Sequence, residues 1–197
     1  VNYSSKDHGV ICKVKYFKKD QVSFSKDSCN VTMGKNYFIG NLKDYKITLS
    51  PDDFDGFGID IELAARLDPY RPQDGIIKTE DDYFAWLAAV PDGHIDVKLT
   101  VNGEKKKLVG DGYHDHNWGN TPLQRLFDGW TWFRGKTEDH TIIAAELYTS
   151  DERGGYDIPI LYIANEEDGM VVNRFGQDGL FTRYSDRIEN LYNKNNE

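Results

Sequence analysis

The groups best able to do chemistry lie in Gly110–Asn120, which reads Gly-Asp-Gly-Tyr-His-Asp-His-Asn-Trp-Gly-Asn. Two His, two Asp, a Tyr, two Asn and a Trp fall within eleven residues, and Trp130 and Trp132 follow. The run is not a metalloprotease helix, a P-loop or a nucleophile elbow. Three readings fit the residue types. His114 and His116, two apart on a strand, could ligate a metal with a third ligand from Asp111, Asp115 or Glu146. Asp115 could orient a neighbouring His, or one carboxyl could be held protonated by burial. Alternatively, buried His and Asn side chains tie Gly-rich backbone together where strands bend, and Trp118 is core.

Any of these depends on how the flanking strands present the run. Asn102-Gly103 separates two alternating segments, the strongest short-range signal for a hairpin. A two-residue turn there sets Val101 opposite Glu104, Leu99 opposite Lys106, Val97 opposite Leu108 and Ile95 opposite Gly110. Ile95, Val97 and Leu99 are the apolar face of their strand. Continued alternation then points His114, His116 and Trp118 inward and Tyr113, Asp115 and Asn117 outward. One bulge at Gly110 or Gly112 would exchange the two sets.

The rest of the chain reads as further strands. Phe57–Leu67 alternates over eleven residues, as expected for an antiparallel sheet with one wet face. Val10, Cys12, Val14 and Tyr16 alternate with Lys13 and Lys15, predicting a half-buried strand. Strands are also predicted over 21–25, 30–40 (interrupted at Gly34), 44–50, 83–90, 127–135, 140–149, 158–165 and 170–175. Asp168-Gly169 marks another tight turn, and a last strand is expected over 179–184. Asp68–Asp82 contains Pro69, Pro72 and Gly75 and reads as a long loop, with a lid over a pocket among its possible uses. Only Ser185–Lys194 has helical character. Roughly ten to twelve strands without a βαβ rhythm predict an all-β antiparallel meander, closed into a barrel or folded into a sandwich.

Bulk composition narrows the partners. A formal charge of −9 argues against nucleic acid. The charge is uneven, with nine Lys and four acids in residues 1–50, a surface feature on its simplest reading. No apolar run reaches the roughly 18 residues of a spanning helix. The chain opens at Val1 without a secretory pattern, which leaves room for a removed upstream segment. Cys12 and Cys29 are expected to be free thiols.

The run Gly110–Asn120, preceded by Tyr83-Phe84-Ala85-Trp86-Leu87-Ala88-Ala89-Val90-Pro91, closely resembles the hydroxyneurosporene synthase-like (carotenoid 1,2-hydratase-like) family, to which fungal Diels–Alderases look related. The resemblance extends back through Ser28-Cys29-Asn30-Val31, the Phe57–Leu67 strand and Pro69-Tyr70-Arg71-Pro72, and forward through Trp130-Thr131-Trp132 to Glu146. It implies lipocalin-like (calycin-type) barrels, closed or partly open, with no metal, no cofactor and an apolar isoprenoid or polyketide-like substrate. On that basis residues 1–184 are expected to form one barrel domain, lacking the family's opening strands and second barrel, with 185–197 as a tail or short helix.

Two functions are carried forward. The first is a cofactor-free hydratase or cyclase. Asp115 is then the proton donor or the partner of His114 and His116, and Glu146, in an otherwise apolar strand, is the alternative acid. Trp86, Trp118, Trp130 and Trp132 are the aromatic walls, and Tyr113 and Asn117 the polar anchors. The second is a binding module for an apolar small molecule, with the run architectural. An interaction subunit of a larger assembly is a third, weaker reading. A homodimer and contact with a membrane surface without an anchor are left open, and the cytoplasm is the working expectation for the compartment.

Overall fold

The computed structural model describes residues 1–79, 81–177 and 179–180. The strand expected over 179–184 and the helical tail therefore fall largely or wholly outside the described residues.

β1 (Asn2–Ser5) and β2 (Gly9–Cys12) form a separate small hairpin. This corrects one expectation, because the alternation from Val10 to Tyr16 faces water and the strand ends at Cys12. Val10 is 78% exposed, and Val14 and Tyr16 are likewise exposed. The packed side chains are Tyr3, whose ring lies 5.5 Å from that of Phe57, and Ile11. A two-stranded flap has one face to bury, and periodicity cannot say which.

The remaining strands build two antiparallel sheets. β3 (Val22–Phe24), β4 (Cys29–Met33), β5 (Asn36–Gly40), β6 (Asp44–Leu49) and β7 (Phe57–Ala65) follow one another as a meander. The segment expected to be a loop contains β8 (Ile76–Thr79), and an isolated bridge joins Tyr70 to Ala88. Its prolines and glycine hid the short strand, and buried Tyr70 and Ile77 pack it down. β9 (Asp82–Val101) is the spine. Its second half pairs with β7 and its first half with β8. β10 (Glu104–Gly119) pairs along nearly all of β9, completing a curled sheet in the order β10-β9-β7-β6-β5-β4-β3. After the single turn α1 (Leu123–Leu126), β11 (Phe127–Lys136), β12 (Thr141–Thr149), β13 (Asp157–Asn165) and β14 (Gly169–Phe175) form a second sheet in sequence order. The architecture is an all-β, lipocalin-like, partly open barrel.

The hairpin register matches the sequence reading pair for pair: Val101 with Glu104, Leu99 with Lys106, Val97 with Leu108 and Ile95 with Gly110. Asn102 and Gly103 both adopt positive φ, 50° and 88°, as a turn matched to strand twist requires. Farther along, the register shifts between Gly112 and His114 and again between His114 and Asp115. Both shifts leave the extra residue on β9, so alternation along β10 is unbroken. Gly112 lies against Ile95 and Leu63, where a Cβ would come within 2.5 and 2.6 Å of their side chains.

Apolar burial follows this layout. Phe57, Val97, Leu99 and Val101 form a cluster on one face of the curled sheet. A larger cluster joins Trp86, Ala88, Tyr70 and Ile77 to Phe127, Ile143, Leu147, Ile160 and Tyr162 of the second sheet. Each such Val, Leu, Ile or Phe contributes about 1.5–3 kcal/mol. The sheets are also tied by charge at the β9 irregularity. Asp92 is 2% exposed, and its carboxylate accepts from Arg66 Nη1, Arg134 Nη2 and Lys136 Nζ, all at 2.9 Å. Arg66 follows β7, whereas Arg134 and Lys136 belong to β11.

Removing one partner of a buried ion cluster exposes the cost of the charges left behind. Asp92→Asn should lower unfolding free energy by about 3 kcal/mol, the low end for such a loss because the cations are partly hydrated. Urea unfolding followed by tryptophan fluorescence measures this, and a loss under about 0.5 kcal/mol would mean that the cluster does not hold the sheets together.

Candidate active site

The first half of β9 and the last part of β10 form one wall of a cavity of about 580 Å³. Trp130 and Trp132 of β11 with Ala145 and Leu147 of β12 form the opposite wall. Each pair is cross-strand matched, Leu147 opposite Trp130 and Ala145 opposite Trp132, so alternation sends all four side chains to one face. Phe84 and Leu123 add apolar surface. The volume falls within the range for small-molecule sites.

Tyr113, Asp115 and Asn117 line this cavity. They are the set expected to face outward, and the assignment of the reactive face is thereby corrected. The grouping of Tyr113, Asp115 and Asn117 on one face was read properly, whereas Trp118, grouped with the histidines, also lines the cavity. The face called outward is the one that the second sheet covers, and a strand's periodicity carries no information about a sheet built later in the chain.

Asp115 is the carboxylate among the described residues that line the cavity. Its Oδ2 accepts two hydrogen bonds, from Trp86 Nε1 at 3.1 Å and from the Tyr113 hydroxyl at 3.1 Å. Tyr113 and Asp115 stand two apart on one face of β10, and Trp86 reaches across from β9. No hydrogen bond to Oδ1 occurs among the described residues. Burial, then the neighbouring Asp115 charge and hydrogen bond, hold the Tyr113 phenol well above its ordinary value. Tyr113 is thus a standing donor rather than a base. Its ring lies 5.6 Å from that of Trp132, and the Arg134 guanidinium carbon is 5.3 Å from its centroid.

The remaining candidates divide around this centre. Trp118 lies at the cavity rim, with the His116 ring stacked on it at 5.3 Å. His114 is on the other side of β10, edge-on to Phe38 at 5.0 Å and Tyr45 at 4.8 Å. The histidines therefore occupy separate surroundings, and neither lines the cavity. Among the described residues no three His, Cys, Asp or Glu side chains gather as a metal-binding set. Glu146 is 4% exposed but lies between the cavity-lining Ala145 and Leu147, turned to the opposite face of β12, where it lines a smaller apolar pocket with Thr131 and Phe133. Cys12 and Cys29 are exposed free thiols. No helix of the described residues is long and apolar enough to cross a membrane.

Sequence reasoning missed Arg134 and Asp92, although both left a trace. Trp130, Trp132, Arg134 and Lys136 share one alternating face, so two cations continue an aromatic stripe. Asp92 interrupts an apolar strand between Pro91 and Gly93.

Comparison with known proteins places this geometry. The family model described as carotenoid hydratase CrtC matches residues 72–173, just over half of the chain. The chain belongs to the carotenoid hydratase CrtC family. The matched span runs from β8 into β14 and includes every candidate residue above. The chain is 26% identical over 97 residues to a quinolone epoxide rearrangement protein of Emericella nidulans, covering 46% of this chain and 27% of that protein. It is 33% identical over 55 residues to one of Penicillium thymicola, covering 28% and 15%. The solved structure of kievitone hydratase from Nectria haematococca shares the fold, with a TM-score of 0.53 and 19% identity over 72% of this chain and 44% of that one. The chain thus spans less than half the length of each of these relatives.

The His114 niche makes a pH prediction. Burial, the leading cause, lowers the imidazole's affinity for a proton below its ordinary value near 6.5. A depressed folded value means that the unfolded chain binds the proton more readily. The stabilisation is therefore complete above the unfolded value of about 6.5 and is lost as pH falls through the lower folded value. Urea midpoints should decline below about pH 6.5 in the wild type. In His114→Leu that part of the decline should vanish, and an identical profile in both proteins would refute the assignment.

Proposed function

We propose that this chain carries a cofactor-free acid–base site that adds water to, or cyclises, an apolar alkene-bearing molecule of the isoprenoid or polyketide type. The observation that carries the reading is the setting of Asp115: a carboxyl in an aromatic-walled cavity, whose hydrogen bonds among the described residues both fall on Oδ2. A proton on Oδ1 leaves the Trp86 and Tyr113 bonds intact, and so does its loss. The carboxyl can cycle between acid and base without rearranging its supports, which is electrostatic preorganisation in its simplest form.

In the hydration arm, the Oδ1 proton adds to the less substituted carbon of the double bond, whose π pair forms the new C–H bond. The more substituted carbon becomes a cation. Trp132 and Trp130 offer π faces to it, and Trp118 stands at the rim. Water then donates an oxygen lone pair to that carbon, and its surplus proton returns to the Asp115 carboxylate. The sum is alkene plus water to alcohol, with Asp115 restored. In the cyclising arm, the π pair of a second double bond of the same molecule replaces water as the nucleophile and forms the ring C–C bond. The cation left on that second alkene then loses a proton from an adjacent carbon to the Asp115 carboxylate, whose acid form is restored, and the C–H pair becomes the product's double bond. Asn117 is the polar group placed to orient a substrate oxygen or the water. His114, His116 and Glu146 have no step in this scheme.

Membership of a carotenoid hydratase family supports the reading. So does the similarity to proteins named for quinolone epoxide rearrangement. Binding without chemistry is the competing reading, since the same walls would hold a ligand.

Asp115→Asn keeps the shape and both donors but has no acidic proton. With lycopene in detergent micelles as the probe, wild-type protein should form water adducts visible by mass spectrometry. The variant should fall by about 100- to 10,000-fold while still quenching tryptophan fluorescence on binding. Tyr113→Phe and Trp86→Phe, each removing one support, should show smaller losses. Wild-type turnover in a folded Asp115→Asn protein would eliminate this role.

A further inference from the structure

We infer that Arg134 is a positioning residue for Asp115, acting through the ring of Tyr113. The inference rests on the acid–base reading of the cavity.

Tyr113 sits where the β9–β10 ladder is irregular, between the paired residues Gly112 and His114. Backbone pairing therefore does not by itself hold this side chain where Asp115 needs it. Side-chain contacts must do so: the ring packs against the apolar core, and Trp132 and Arg134 meet it from β11. Trp132 lies at 5.6 Å between centroids, inclined by 49°. The Arg134 guanidinium carbon lies 5.3 Å from the Tyr113 centroid.

The guanidinium is itself fixed on two sides. Nε donates to the Pro91 carbonyl at 3.0 Å, and Nη2 donates to Asp92 Oδ1 at 2.9 Å. A planar fork bound at two atoms cannot turn about its axis without losing one bond. Asp92 is held in turn by Arg66 and Lys136 on its other oxygen, Oδ2. The chain of contacts therefore runs from the β9 irregularity through Arg134 to the Tyr113 ring, and through the Tyr113 hydroxyl to Asp115 Oδ2. Arg134 does not line the cavity. The contacts that link it to the reacting carboxyl pass through Tyr113.

Lys136 supplies the internal control. It also donates to Asp92 at 2.9 Å from the same strand, but no ring contact joins it to Tyr113. If the cluster only docks the two sheets, losing either cation should have the same consequences. If Arg134 positions the ring, only its loss should reach Asp115.

The experiment compares Arg134→Met, Arg134→Lys and Lys136→Met in the full chain, with 13C-labelled tyrosine and aspartate. The Tyr113 Cζ signal is assigned by its absence in Tyr113→Phe, and the Asp115 Cγ signal by its absence in Asp115→Asn. Arg134→Met should shift both signals, and Lys136→Met should leave both in place. Arg134→Lys keeps the charge against Asp92 but lacks the planar fork and should shift both by less. It also provides the reading if Arg134→Met does not fold. With lycopene as the probe, kcat should fall about 10- to 100-fold in Arg134→Met, with KM nearly unchanged. Unmoved signals in the Arg134 variants, or equal shifts in Lys136→Met, would overturn the inference. Failure of wild-type protein to add water to the polyene would count against the acid–base reading alone, because the signal comparison decides the positioning role without turnover.

Discussion

Asp92 meets Arg66, Arg134 and Lys136 at the point where β9 stops pairing with β7 and goes on to back the second sheet. A carboxylate almost wholly removed from water is costly unless its partners are in place. Three cations from two different sheets satisfy it, and they can do so in one arrangement of those sheets. Apolar burial between the sheets supplies more energy, but it is tolerant of small slides and rotations. The ion cluster is directional. It sets where β11 crosses the hairpin, and with that the distance between the Tyr113 side of β10 and the tryptophan side of β11.

The cavity is a consequence of that placement. The β9–β10 hairpin is longer than the sheet that β7 can pair with, so its far end presents two faces to different neighbours. One receives His114 against Phe38 and Tyr45. The other receives Tyr113, Asp115 and Asn117 against the tryptophans of β11. The crowding of the Gly110–Asn120 run is thus resolved into two environments one residue apart. An imidazole is enclosed by rings on one side, and a carboxyl with two donors stands in an apolar space on the other. Trp130 and Trp132 are 49% and 45% exposed, so the wall opposite Asp115 is partly open to water. In the proposed hydration water is a reactant, and an open wall of this kind would admit it beside the aromatic faces.

Much of the framework could be read directly. Asn102-Gly103 specified the turn, and the turn specified a register that holds residue by residue as far as Gly112. The long alternation of β7 and the strands after Phe127 were legible for the same reason, since local sterics and a two-residue period act within a single strand. The resemblance carried by the Tyr-His-Asp-His-Asn-Trp-Gly run identified the family that the comparison confirms. β8 was obscured by the prolines around it, and the exposed side of β2 was mistaken for the packed one.

What the sequence by itself determined is which residues travel together: Tyr113 with Asp115, Trp130 with Trp132, and His114 on the face of β10 opposite Tyr113 and Asp115. Only the tertiary structure decided which of those sets would share a cavity. Alternation is a property of one strand, whereas a site needs two sheets to face each other. That meeting is governed by contacts between sheets, such as Asp92 with Arg134 and Tyr113 with Trp132, for which no local spacing exists to be read.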